Sequence, residues 1–112
     1  MSGVTKHNDF VRKPQALADT AVLHLAPRKG ANSTITPAGD RTITFTGAVA
    51  GDSGVLTWTG DGNGRSLTLG ANQHAAGGDV ADLVGLALNQ VAKISWETHD
   101  GTNFYFWVTL VS

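Results

Sequence analysis

Apolar and polar residues alternate most clearly in the last part of the chain, from Ile94 to Val111. At the start of this stretch Ile94 and Trp96 share one face of an extended strand. The Asp100-Gly101 pair that follows supplies residues that tolerate the positive φ of a tight turn. The pattern therefore predicts a β-hairpin with its turn at Asp100-Gly101.

The second strand of this hairpin is apolar on both of its faces. The alternating positions are Phe104, Phe106, Val108 and Leu110 on one face and Tyr105, Trp107, Thr109 and Val111 on the other. A strand that is apolar on both faces is normally covered on both sides. In a small chain the second cover is often another subunit, so we expect the second of these faces to lie at a subunit interface.

Shorter alternating runs predict further strands at residues 20–26, 33–36, 41–46, 55–59 and 65–69. Within them Ile43 and Phe45, and likewise Leu56 and Trp58, are expected to face the core. The glycine-rich turn at 60–64 predicts a second hairpin between the strands that flank it. Residues 79–88 fit either a strand or a helical stripe, and Gly85 favours a strand followed by a turn.

These runs amount to about eight short strands separated by turn residues, a spacing typical of an all-β sandwich. The expected fold is an antiparallel, jelly-roll-like β-sandwich over residues 20–112. Residues 1–19 show no sustained period, and Pro14 disfavours helix in the residue before it. They are predicted to form an extended N-terminal arm. No long internal repeat is visible in the sequence.

Composition limits the class of protein. The chain has 112 residues, enough for one domain, and it contains no cysteine that could form disulfides or thiolate metal sites. No apolar segment reaches the roughly 18–20 residues that span a bilayer. The N-terminus also lacks the apolar core of a signal peptide, so we expect the protein to act, or to be assembled, where it is made.

Charge is unevenly distributed along the chain. Residues 1–29 contain five basic and two acidic residues, a local charge of +3, whereas residues 30–112 contain three basic and seven acidic residues, a local charge of −4. The arm is either a solvated tail or a segment that binds an acidic partner surface. For the second case the candidate contact residues are Lys6, Phe10, Arg12 and Lys13. Their charges are too sparse for a nucleic-acid site.

Motifs that suggest chemistry have simpler structural explanations. Gly51–Gly54 (GDSG) matches the sequence around the serine protease nucleophile, but such a site needs a base, a carboxylate and a scaffold about twice this size. Asp61–Gly64 lacks the spacing of a calcium loop. The four histidines show no metal-binding spacing, and no second carboxylate is evidently paired with Glu97. We expect no catalytic, cofactor or metal site. Tyr105 and Trp107 could stack on a sugar, but core or interface positions are favoured.

The order of several motifs carries a resemblance to a known family. Along the chain these are RTITFTGAV, AGDSGVLTWTG, DGNGRSLTL and ALNQVAKISWETHDGTNFY. The segment from about Ile35 to Tyr105 resembles a β-sandwich domain that recurs in structural proteins of tailed bacteriophages. It departs from the commoner form at Gly70–Gly78, where ANQHAAGG replaces a Pro-Gly-Gly turn flanked by aromatic residues.

The resemblance implies a structural role in a virion. Members of the family occur in tail fibres, tail-associated proteins and capsid decoration (cement) proteins, commonly as trimers. The expectation is a homotrimeric decoration protein that binds and reinforces the major capsid protein at the capsid surface after assembly in the host cytoplasm. The alternative is a tail-fibre module, or a tip module that binds a receptor or a host surface glycan. No cofactor, nucleic-acid or membrane partner is expected.

Overall fold

The computed structural model describes residues 15–27 and 32–111. These residues form an all-β structure with one short helical segment. The strands are β1 (Gln15–Ala16), β2 (Val22–Leu25), β3 (Asn32–Ile35), β4 (Arg41–Phe45), β5 (Ser53–Thr59), β6 (Leu67–Thr68), β7 (Gln73–Gly77), β8 (Val91–Thr98) and β9 (Phe104–Val111), with a 3-10 helix at Val80–Gly85.

The strands form two sheets that pack face to face around one core. A six-stranded sheet has the order β1-β3-β5-β8-β9-β7, and a three-stranded sheet has the order β2-β4-β6. The buried apolar side chains of both sheets belong to a single cluster: Leu23, Leu25, Ile35, Ile43, Leu56, Trp58, Leu67, Leu83, Leu86, Ala92, Ile94, Trp96, Phe104, Phe106 and Val108. The inward positions predicted for Ile43, Leu56 and Trp58 are confirmed, and Phe45 packs against this core. The face that Ile94 and Trp96 share is also buried in it.

The chain passes from one sheet to the other at each of its first connections. Strands β1, β3 and β5 are therefore neighbours in the large sheet, and β2, β4 and β6 are neighbours in the small one. The chain thus winds around the core, and each turn of this winding, which we call the coil, adds one strand to each sheet. Because successive turns run in the same direction, all of these neighbouring strands pair in parallel, and so do β7 and β9. The predicted antiparallel arrangement is wrong for these strands. The described pairings do not confirm a jelly-roll topology.

Each turn of the coil contains an aspartate in the loop that leads from the large sheet to the small one. Asp19 accepts a hydrogen bond from Arg41 Nε at 2.8 Å, and Asp40 accepts one from the Ser66 backbone N–H at 2.9 Å. These hydrogen bonds hold the pKa of each carboxyl below its ordinary value. Each hydrogen bond links one turn of the coil to the next and therefore stabilises this end of the two sheets.

The closing hairpin is confirmed. Strands β8 and β9 pair antiparallel from Val91 opposite Val111 to Thr98 opposite Phe104. Gly101 has a φ of +80°, and the Asp100 carboxylate accepts the backbone N–H groups of Thr102 and Asn103, both at 2.8 Å. The turn residues therefore supply both the unusual backbone conformation and its hydrogen bonds.

Two local predictions are wrong. Residues 55–59 and 65–69 do not form a hairpin, because β5 pairs with β3 and β8 while β6 pairs with β4 in the other sheet. Residues 79–88 contain a 3-10 helix rather than a strand. Asp79 caps this helix by accepting the Ala81 N–H at 2.9 Å.

The large sheet also begins earlier in the chain than the expected boundary at residue 20. Strand β1 lies inside residues 1–19, the segment predicted to be an arm, and it pairs with β3. The two edges of the sheet are thus formed by β1 and by β7.

Candidate functional site

The face of the six-stranded sheet that points away from the three-stranded sheet is not covered by any described residue; we call it the outer face. The four residues predicted at a subunit interface, Tyr105, Trp107, Thr109 and Val111, all belong to β9 positions on this face. Tyr105 and Trp107 are half-buried, whereas Thr109 and Val111 are exposed. The expected alternation along β9 therefore holds from Phe104 to Val108, where Phe104, Phe106 and Val108 are buried in the core, but Leu110, predicted on the same face, is 46 % exposed.

The middle of the outer face is a row of residues that lie opposite one another on successive strands. The register places Asn32 beside Val55, Val55 beside Ser95, Ser95 beside Trp107, and Trp107 beside Gly77. We call these five residues the central row. The Trp107 indole lies directly against the Gly77 backbone, since a Cβ at position 77 would be 2.5 Å from Trp107 Cδ1. The large aromatic side chain thus covers a glycine on an edge strand.

A second row lies nearer the hairpin turn and contains Ser53, Glu97, Tyr105 and His74. The Tyr105 ring packs against two imidazoles, with centroid distances of 5.2 Å to His74 and 6.0 Å to His99. His99 Nε2 lies 3.7 Å from Glu97 Oε2. In the part of the chain that the structure describes, no cluster of three or more His, Cys, Asp or Glu residues could hold a metal ion.

A third row contains Thr34, Thr57, Lys93 and Thr109. Lys93 Nζ donates a hydrogen bond to Thr57 Oγ1 at 2.8 Å, which holds the ammonium over the sheet. Lys93 and Glu97 lie four positions apart on β8 and therefore on the same face. The outer face consequently combines an aromatic and aliphatic band with one positive and one negative side chain.

The outer face is concave between these rows. Two shallow grooves of about 430 and 480 Å³ share Asn32, Val55 and Ser95 in their walls. Lys93 and Thr57 border one groove, whereas Glu97 and Trp107 border the other. Hydroxyl, amide and charged groups thus surround a partly apolar floor, an arrangement suited to contact with another surface.

The protease-like tetrapeptide lies at the border of this face. Ser53 begins β5, is exposed, and lies opposite Glu97 on β8. It makes no hydrogen bond to a histidine among the described residues, whereas a serine nucleophile requires such a base. The Asp52 carboxylate instead accepts the Val49 N–H at 2.9 Å and closes the preceding loop.

Sequence reasoning found the β9 part of this face but missed the rest. Asn32, Val55, Lys93 and Ser95 were not singled out, and they come from three other strands. The alternation in residues 55–59 places Val55 on the opposite face from Leu56, so its side could be predicted. The neighbours of Val55 could not be predicted, because the strand pairing was unknown. The predicted arm contacts Lys6, Phe10, Arg12 and Lys13 lie outside the described residues.

Comparison with known proteins gives no further assignment. No protein-family model, no curated protein and no solved structure matches this chain. Over residues 15–27 and 32–111, no helix has both the length and the hydropathy needed to cross a membrane.

Proposed function

We propose that this chain is a structural protein of a tailed-bacteriophage virion: a decoration (cement) protein that binds and reinforces the capsid shell as a homotrimer. The outer face of the six-stranded sheet is the proposed contact between subunits. The sequence motifs that resemble phage virion β-sandwich domains support the class of protein. The observation that carries the assembly is the second apolar face of β9, which residues 15–27 and 32–111 leave uncovered.

The composition of the outer face favours association. Aromatic residues are enriched at protein interfaces, and Trp107 lies in the central row with Val55, while Tyr105 lies in the neighbouring row. Burial of apolar surface contributes about 25 cal/mol per Å² before the costs of association are subtracted. Half-buried rings lose little side-chain freedom on further burial, because their neighbours already restrict them.

The charges of the outer face favour a second copy of this chain as its partner. Lys93 and Glu97 occupy the same face and have opposite charges. In a ring of three subunits, Lys93 of one subunit can therefore face Glu97 of the next, as a head-to-tail contact between identical subunits requires. In a ring of three subunits, each attachment to the shell would also be repeated three times, which strengthens binding by multivalency.

The subunit contact is tested by measuring mass in solution with light scattering or sedimentation. We expect the wild-type protein to be a trimer at micromolar concentration and Trp107→Glu to be a folded monomer, because a carboxylate would be buried in the contact. Thr42→Glu is the matched control, since Thr42 is exposed on β4 in the other sheet. A monomeric wild-type protein, or a trimeric Trp107→Glu variant, would contradict the proposed contact.

The attachment to the shell is tested separately. Purified protein is mixed with empty phage shells, and bound protein is located by electron microscopy. The proposed contact residues Lys6, Phe10, Arg12 and Lys13 precede β1, so deletion of residues 1–14 removes no strand that the structure describes. We expect the truncated protein to keep its mass in solution and to bind the shells more weakly. If both forms bind the shells equally, residues 1–14 do not contact the shell. If the wild-type protein does not bind the shells, the proposed capsid role is wrong.

A further inference from the structure

The end of the sandwich that contains the hairpin turn also contains a second concave site. Three loops meet there: the one between β4 and β5, the one between β6 and β7, and the one between β8 and β9. They enclose a groove of about 380 Å³, which we call the loop-end groove. It is lined by eleven residues from these loops and from the adjoining ends of β4, β7 and β9. None of these residues belongs to the outer face.

Two stacked aromatic rings form the apolar part of this groove. The centroids of Phe45 and Phe104 are 3.9 Å apart and their planes differ by 3°. Phe104 is buried, whereas Phe45 remains half-buried at the groove. The groove therefore presents a flat apolar surface that is held in place by the core beneath it.

Small residues keep the space above these rings open. Gly47, Ala48, Gly70, Ala71 and Gly101 contribute to the wall, and none of them has a side chain larger than a methyl group. Gly101 could not be replaced without strain, because its φ is +80° and a Cβ would lie 3.2 Å from the Ala50 nitrogen. By contrast, a Cβ at Gly70 would meet only the Gln73 side chain at 3.9 Å.

The polar groups of the groove fall into two classes. Gln73 is fixed at both ends of its amide, since its Oε1 accepts the Gly70 N–H at 3.0 Å and its Nε2 donates to the Ile43 carbonyl at 2.8 Å. The side chains of Thr44, Asn72 and Thr102 make no hydrogen bond with any described residue. The wall is therefore held rigidly while three polar side chains keep their hydrogen-bonding capacity for a ligand.

None of the eleven lining residues is ionisable. An anionic or cationic ligand is normally recognised through charge-assisted hydrogen bonds, and this groove offers none from its side chains. Hydroxyl and amide groups instead suit a neutral, hydroxyl-bearing ligand, and the aromatic surface suits a ligand with one apolar face. A pyranose ring combines both properties, because its C–H groups form an apolar face while its hydroxyls project from the rim. The volume is at the lower end of the range for small-molecule sites.

We propose that the loop-end groove binds a neutral saccharide unit, with the apolar face of the ring on Phe45 and its hydroxyls within reach of Thr44, Asn72 and Thr102. This site goes beyond the proposed role in capsid assembly. Because the groove and the outer face share no residue, a trimer built through the outer face leaves the groove free. The protein would then bind neutral glycans whether or not it trimerises.

The test is a titration of the ¹⁵N-labelled protein followed by NMR. The probes are methyl glycosides of glucose, galactose, mannose and N-acetylglucosamine at millimolar concentration, with sialic acid and glucosamine as charged comparisons. We expect at least one neutral glycoside to shift the amide signals of Gly47, Ala71, Asn72 and Thr102 in a saturable way, and the charged sugars to bind at least tenfold more weakly. Signals from the outer face, such as Ser95, should not move.

Matched variants separate the groove from the rest of the protein. Gly70→Leu places a side chain in the groove and should abolish saturation, whereas Gly85→Leu, at a glycine with no atom within 4 Å of its added Cβ, should bind as the wild type does. Asn72→Ala with Thr102→Ala removes two free polar groups and should weaken binding at least fivefold, and the exposed Thr36→Ala should not. The proposal is overturned if no neutral glycoside gives saturable shifts, if Gly70→Leu binds normally, or if a charged sugar binds more tightly.

Discussion

The two faces of the six-stranded sheet are built from the same strands but have different surroundings. On the inner face Leu56, Ile94 and Phe106 are each no more than 1 % exposed, because the three-stranded sheet packs on them. On the outer face Trp107 remains half-buried and Val111 is 42 % exposed. Strand β9 carries aromatic residues on both faces, so composition alone does not distinguish the face that folds the chain from the face left open.

The exposure of the polar neighbours marks the difference. On the inner face Ser33 lies opposite Leu56 and Thr98 opposite Phe104, and both polar residues are buried. On the outer face the polar neighbours on β8, Ser95 beside Trp107 and Glu97 beside Tyr105, remain partly exposed. Such a face remains hydrated when the chain is alone and can still bury apolar area in a contact. The four predictions below test this division of roles.

The largest effect is expected for Trp96→Ala on the inner face. Trp96 is 2 % exposed and contacts the Phe45 ring at a centroid distance of 4.8 Å. Removal of a buried tryptophan costs about 3–5 kcal/mol, compared with a total stability of about 5–15 kcal/mol for a domain. Urea unfolding monitored by circular dichroism should show a midpoint far below that of the wild type.

Trp96→Phe is the control for that experiment. The Trp96 Nε1 proton has no acceptor among the described residues, and an unpaired buried donor costs about 1–3 kcal/mol. Phenylalanine removes this donor and keeps most of the volume, so Trp96→Phe should be much less destabilising than Trp96→Ala. If the two variants unfold at the same urea concentration, the ring is not packed as described.

A smaller loss is expected for Gly77→Val, which affects the outer face. The new side chain would occupy the space of the Trp107 indole and force it away from the edge strand, at a cost of about 1–3 kcal/mol. Tryptophan fluorescence should shift to longer wavelength, because Trp58 and Trp96 stay buried and only Trp107 becomes more hydrated. Gly85→Val should show neither change, since a Cβ there meets no atom within 4 Å.

The hydrogen bonds to Asp100 in the hairpin turn should make the stability of the protein depend modestly on pH. Hydrogen bonds from the Asn103 backbone and side chain, and from the Thr102 N–H, hold the pKa of Asp100 well below its ordinary value. A carboxyl whose pKa is lower in the folded state adds stability that is fully present above its unfolded pKa of about 3.9 and is lost as pH falls toward the folded pKa. This turn fixes the register, and hence the face on which each β9 side chain lies.

Asp100→Asn tests this linkage. The variant should be less stable than the wild type at about pH 7. The difference should narrow at about pH 3, because the Asp100 carboxyl is then mostly protonated in the unfolded wild-type chain but still ionised in the folded one. Urea unfolding at the two pH values measures both differences. A difference that is the same at both values would show that the charge of Asp100 does not stabilise the turn.

The smallest effect is expected for Ser53→Ala at the border of the outer face. Ser53 is exposed and makes no hydrogen bond with the described residues, so its replacement should change stability by only a few tenths of a kcal/mol. Trimer formation should also be unchanged. Loss of a measurable hydrolytic activity in this variant would assign catalysis, rather than contact alone, to the outer face.

The sequence alone determined the local features. Alternation placed Leu56 and Trp58 on one face of β5, and Asp100-Gly101 marked the hairpin turn, because side-chain direction and turn conformation depend only on neighbouring residues. The same reasoning recovered Tyr105, Trp107, Thr109 and Val111 as a shared face. The same reasoning failed at residues 79–88, because Val80, Leu83 and Val84 fit both a strand and a helical pattern. In the structure Asp79 caps a 3-10 helix there.

Only the tertiary structure decided how the strands pair. Residues 41–45 (RTITF) and 65–69 (RSLTL) are similar in sequence, yet β4 pairs with β6 in parallel with Arg41 opposite Leu67. An offset of two residues keeps the same side chains inward, so the sequence pattern is compatible with either register and with either strand direction. The central row and the loop-end groove collect residues from strands and loops far apart in the chain. Their positions depend on the coil between the two sheets, which is set by packing of the whole core rather than by any local pattern.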